Sequence, residues 1–212
     1  MIKKYKQYIK EDIDYSDIDP WGEEDWDADE LPPVLQKARE QGKPFDQITE
    51  LDCHSMNLEN LDGIEQLVNL KILYCFNNQL TSLRGIENLR NLEKLYCNHN
   101  QLGSLREIEN LNNLKILYCS YNQLTSLEGI ENLNNLEKLY CSYNQLTSLE
   151  GIENLRSLEI LNCHNNQLTS LEGIENLNNL EVIWCFNNQF TNEYKNYLIK
   201  WCKEKNIKLT PL

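Results

Sequence analysis

From Ile48 onward the order of hydrophobic and polar positions restarts every 22 residues, at Ile48, Leu70, Leu92, Leu114, Leu136, Leu158 and Leu180. No residue is inserted between restarts. With each restart as position 1, apolar residues fall at positions 1, 4, 6, 11, 14, 17 and 20. The alternation at positions 4 and 6, as in Leu139-Tyr140-Cys141, has the period of two that belongs to a β-strand. The run Gly-Ile-Glu-Asn-Leu then brings the chain round to the next strand. One such unit cannot bury its own apolar side, whereas stacked units form a continuous core. Asparagine holds position 9 in six copies, from Asn78 to Asn188, and Met56 takes its place in the first. At the turn leaving a strand, an inward amide can bond backbone groups that the bend leaves unpaired, which is an architectural role.

The spacing L-x-x-L-x-C-x-x-N-x-L-x-x-L-x-x-I-x-x-L resembles a leucine-rich repeat, of the 22-residue bacterial kind found in internalins. The resemblance covers residues 48–190. It implies an α/β repeat solenoid: an arc with a concave parallel β-sheet, short 3₁₀ segments and turns on the convex side, and helical caps at both ends. Two departures stand out. Gly103 and Glu107 replace the usual Thr and Gly in the copy 92–113, and the last copy breaks after Phe190. Neither threatens the fold.

In that pattern position 6 is an inward leucine, and here Cys53, Cys75, Cys97, Cys119, Cys141, Cys163 and Cys185 hold it. Reduced cysteine behaves as a small hydrophobe. Strands stacked about 4.8 Å apart keep parallel Cβ vectors at about that spacing. A disulfide wants Cβ atoms about 3.8 Å apart and turned toward each other. The chain has no C-x-x-C pair to build a zinc site. The cysteines are therefore expected to be core, with no metal and no cofactor. The histidines His54, His99 and His164 are two and three repeats apart, about 10 and 14 Å, too far to share a metal.

The ends differ from the repeats. Residues 31–47 read as an N-terminal cap whose helix lies within LPPVLQKAREQG, with prolines at its start and Gly42 as its stop. Residues 191–212 read as a C-terminal cap. There Tyr194, Tyr197, Leu198, Trp201 and Cys202 recur with the spacing of one apolar helix face. Residues 1–30 form an acidic arm, expected to be flexible. Its stretch 11–30 holds eleven carboxylates and no Lys or Arg, with Trp21 and Trp26 interleaved. It fails as a calcium loop, because Trp21 and Ala28 stand at ligand positions counted from Asp17.

Charge and composition narrow the function. A net charge of −13 disfavours a direct nucleic-acid binder, which would need a basic stripe. No apolar run of 18 residues spans a membrane, and no signal peptide opens the chain. With cysteines expected to be reduced, this points to the cytoplasm, with secretion as an effector left open. There is no G-x-S-x-G, phosphate-cradling glycine loop or H-E-x-x-H, so no enzyme is expected.

Inward slots are filled by leucine and cysteine, which leaves positions 3, 5, 7 and 8 facing outward. There Tyr74, Tyr96, Tyr118, Tyr140 and Trp184 (position 5), Phe76 and Phe186 (position 7), and Tyr121 and Tyr143 (position 8) form an aromatic stripe. Four tyrosines and Trp184 carry on the order of 800–1,200 Å² before they shield one another, against about 800 Å² per partner in an ordinary interface. The expected function is a monomeric protein-binding module with this concave stripe as its face, as in an inhibitor, adaptor or effector. Trp21 and Trp26 are a secondary contact. Two alternatives stay open: an acidic mimic whose residues 11–30 block a nucleic-acid-binding protein, and a structural or assembly role.

Overall fold

The computed structural model describes residues 31–210. The arm with Trp21 and Trp26 lies outside the described residues. Seven three-residue strands recur in register with the sequence: β1 (Glu50–Asp52), β2 (Ile72–Tyr74), β3 (Lys94–Tyr96), β4 (Ile116–Tyr118), β5 (Lys138–Tyr140), β6 (Ile160–Asn162) and β7 (Val182–Trp184). An eighth, β8 (Lys208–Leu209), closes the row, and all eight pair in parallel in sequence order. Each residue faces its equivalent 22 positions on from β1 to β7, as in Tyr96↔Tyr118. The result is the repeat solenoid that the spacing implies.

The periodic leucines and isoleucines point inward and are buried, as are all seven position-6 cysteines. Their carbonyls are held by the asparagines. Asn122 Nδ2 donates to the carbonyls of Cys97 (3.1 Å) and Cys119 (3.0 Å), and its Oδ1 accepts from Leu102 N–H (3.0 Å). Each position-9 amide thus joins its own repeat to the preceding one, because the narrow turn after the strand leaves those groups without a backbone partner. Where Gly-Ile-Glu-Asn-Leu starts, glycine is needed: Gly129 has φ +108°, and a Cβ there would lie 2.5 Å from the Leu105 carbonyl oxygen. In the departing copy a 3₁₀ turn at Arg106–Ile108 replaces that geometry, so Glu107 fits without a positive φ.

At the N-terminal side, helix α1 (Pro33–Arg39) starts on prolines and buries Val34, Leu35 and Ala38. It packs on β1, and a Cβ at Gly63 would meet Leu35 at 2.7 Å. Helix α2 (Asn192–Glu204) is capped by the Thr191 side chain, which accepts from Tyr194 N–H. Its buried face is narrower than the sequence spacing suggests. Leu198 and Cys202 are buried, Tyr194 and Trp201 are half-buried, and Tyr197 is exposed. Tyr197 lies one position off the line that touches the last repeat, and its hydroxyl reaches Glu175 instead (3.4 Å). Tyr194 does reach the stack: its hydroxyl accepts from Leu171 N–H at 2.7 Å. No described helix is long and apolar enough to cross a membrane.

Candidate partner-binding face

The strand alternation that buries positions 4 and 6 turns positions 3 and 5 to the open face of the sheet. A spacing of about 4.8 Å between strands lets flat side chains at one position stack. Tyr74, Tyr96, Tyr118 and Tyr140 do so, with successive ring centroids 4.7, 4.9 and 4.0 Å apart. Trp184 continues the row across Asn162, 6.3 Å from Tyr140.

Beyond the strand ends the aromatics form three further stacks, two of which meet where Tyr143 packs edge-on to His164 at 5.2 Å. His99, Tyr121 and Tyr143 form a second ladder at position 8, with both spacings 4.1 Å. Phe76 stacks on His54 (4.6 Å) and Phe186 on His164 (4.3 Å), both pairs at position 7. Phe76 and Phe186 therefore do not join Tyr121 and Tyr143 in one row. Where position 8 is tyrosine, position 7 is serine, and Ser120 and Ser142 lie buried with Ser142 Oγ bonded to Ser120 Oγ (2.9 Å). The histidines belong to these stacks; their registers carried that signal, although distance removes them as joint metal ligands. Among the described residues no His, Cys, Asp and Glu cluster could hold a metal.

Tyr121 and Tyr143 are each 42% exposed and sit at φ +55° and +52°. This left-handed region suits asparagine, which occupies the same position at Asn77, Asn165 and Asn187. For tyrosine it costs roughly 1–2 kcal/mol, of the same order as the roughly 0.5–1.5 kcal/mol from each ring stack. The same left-handed turn recurs at position 8 of every copy, from Ser55 to Asn187, so the turn belongs to the repeat and the two tyrosines are what this chain places on it.

Stacking changes the area argument. Ring faces at 4.0–4.9 Å cover one another, so the first ladder presents ring edges and hydroxyls outward, and all four tyrosines are half-buried. Burial, aided by the bond with Tyr140, pushes the Tyr118 phenol above its ordinary range, and burial raises Tyr96 as well. These hydroxyls stay neutral and can both donate and accept. The cysteines beneath are inert by contrast: burial pushes Cys97 and Cys141 up to about 12.

A family model described as leucine-rich repeats (two copies) matches residues 90–132, 112–154, 134–176 and 156–194. Among solved structures, internalin C2 from Listeria monocytogenes is similar, with 21% identity and a TM-score of 0.68, over 84% of this chain and 93% of that one. A leucine-rich repeat protein of Leptospira interrogans is 31% identical with a TM-score of 0.55, over 70% of this chain and 44% of its own length. No curated protein matches in sequence.

Proposed function

The chain is a leucine-rich repeat protein of the bacterial type, and on that premise we propose that it binds a partner protein on the open face of its sheet. Leucine-rich repeats serve in general as interaction scaffolds rather than as enzymes. The observation that carries the finer reading is the pair of aromatic ladders, Tyr74 to Tyr140 and His99 to Tyr143, lying side by side on a face that no other described element covers. Hydroxyls over apolar rings are the combination that interface hot spots favour. Partner capture would mask or recruit the bound protein, as an inhibitor or adaptor does.

The test is capture from a lysate of the source cells, with two variants as controls. Tyr96, Tyr118 and Tyr140 changed together to Ala should abolish capture. Tyr121→Asn with Tyr143→Asn should also weaken it, while stability changes by only about 1 kcal/mol, since lost stacking and relieved strain offset each other. Capture that survives both variants but disappears on deleting residues 1–30 would transfer the function to the acidic arm.

A further inference from the structure

The first ladder has one break. Asn162 on β6 stands where a ring would be, between Tyr140 on β5 and Trp184 on β7. Two strand spacings anchor those side chains roughly 9.6 Å apart. Their rings lean toward each other to 6.3 Å at an interplanar angle of 27°. A flat group held between two rings needs about 7 Å, with carbon contact at about 3.5 Å on each side. The existing gap falls short by roughly 0.7 Å, which small torsions of two half-exposed side chains supply.

The charge beside the open face changes at the same place. At position 2, on the flank before each strand, Lys71, Glu93 and Lys115 alternate in sign, and Lys115 pairs with Glu93 at 3.1 Å. From β5 on, the row is Glu137, Glu159 and Glu181. These are direct neighbours, since Glu159 N–H donates to the Glu137 carbonyl and Glu181 N–H to the Glu159 carbonyl, each at 2.8 Å. Among the described residues none of these three carboxylates is in an ion pair. The opposing charges nearby in the pairing are Lys115, which neighbours Glu137 but is paired with Glu93, Lys138, on the strand of Tyr140, and Lys208, beyond Glu181. The floor of the gap is polar: Asn162 Oδ1 accepts from His164 Nδ1 and keeps a second lone pair. Burial lowers the His164 pKa, so that ring places no additional cation there at neutral pH.

We propose that Tyr140 and Trp184 clamp the guanidinium of a partner protein's arginine above Asn162, with the glutamate row supplying the long-range attraction. The proposal rests on the reading of this face as a partner-binding surface and adds the partner's chemistry: a basic protein that presents an arginine. Guanidinium is flat, permanently charged, weakly hydrated, and stacks on Trp and Tyr faces. One of its N–H groups can reach Asn162 Oδ1. A lysine ammonium is neither flat nor weakly hydrated. A neutral aromatic ring would fit the gap but leave the carboxylates unused.

The experiment needs no partner. The ¹⁵N-labelled full chain is titrated with N-acetyl-arginine amide, N-acetyl-citrulline amide and N-acetyl-lysine amide. The readouts are the Trp184 indole and Asn162 side-chain amide signals, the former identified by its loss in Trp184→Phe. The arginine compound should move both signals along one saturable curve, and the citrulline compound, flat but uncharged, should bind at least fivefold more weakly. Asn162→Tyr completes the ladder and should remove the Trp184 response while leaving the rest of the spectrum folded. Glu159→Gln with Glu181→Gln should weaken the arginine response at least threefold. Equal responses to arginine and citrulline, or none to either, overturn the clamp. Partner capture that survives Asn162→Tyr but is lost in the Tyr121→Asn and Tyr143→Asn variant also overturns it, and leaves the partner-binding face standing.

Discussion

The cysteine ladder should make this protein unusually sensitive to alkali. Burial pushes the thiols of Cys53, Cys97, Cys141 and Cys185 up to about 12, and those of Cys75, Cys119 and Cys163 well above their ordinary value. In the unfolded chain each returns to about 8.5. The folded pKa is the higher one, so the native state holds protons that the unfolded state releases. The contribution to stability is complete below about pH 8.5 and is lost as pH rises toward 12. Between pH 8 and 9.5 each such thiol removes about 1.2 kcal/mol, so the four raised to about 12 together remove about 5 kcal/mol. The other three act in the same direction. A whole domain has about 5–15 kcal/mol to lose. Below pH 9.5 tyrosines contribute little, because unfolded phenols titrate near 10. Urea unfolding, followed by circular dichroism in an excess of reductant at stepped pH, measures the loss. In a Cys97→Val, Cys141→Val chain, compared with its own value at pH 8, the fall should be smaller by about 2.5 kcal/mol. A fall below about 1 kcal/mol in the parent, or an equal fall in the variant, would refute the link between thiol burial and stability.

Two further outcomes follow from the turns. Asn122→Ala removes the partner of Leu102 N–H and one donor each from the Cys97 and Cys119 carbonyls; chemical denaturation should show a loss of about 3–5 kcal/mol, and a loss under 1 would mean that water replaces the amide. Gly129→Ala should cost at least about 2 kcal/mol through strain and the Leu105 clash, whereas Gly103→Ala, with no heavy atom within 4 Å of the added Cβ, should stay within about 0.5 kcal/mol, and thermal melts of the pair compare them directly.

Most of the architecture could be read before any coordinates, because a fixed period leaves one register in which leucine, isoleucine and cysteine all face inward. The amide role of Asn78 and its equivalents followed from the same logic. What escaped lay off the period. Lys208 and Leu209 carry no repeat motif, and they become β8 only because the edge of β7 offers free backbone groups. Tyr197 matched helical spacing yet faces solvent, since helix periodicity does not fix how wide a stripe the last repeat covers. In the site, the aromatic positions were legible but their partners were not. Whether Phe76 stacks on His54 or lines up with a tyrosine depends on which residues share a register once the left-handed turn has re-aimed position 8. The gap at Asn162 is likewise visible only as a distance between its neighbours.

The asparagine bonds also give the stack a direction. Asn188 Oδ1 accepts from Leu168 N–H and its Nδ2 donates to the Cys163 carbonyl, both in the repeat before it, and the same holds back to Asn78 with Leu58 and Cys53. Every turn but the last is finished by a residue made later in the chain. A boundary cut after a repeat strands the turn N–H that the next asparagine would accept from and half-serves a cysteine carbonyl, whereas a boundary cut before one frees that side-chain amide together with backbone donors such as the Lys71 and Gln79 N–H groups. The two termini are therefore chemically unequal ends of a uniform sequence. A repeat emerging during synthesis therefore lacks the amide that closes its turn until twenty more residues have followed its turn N–H.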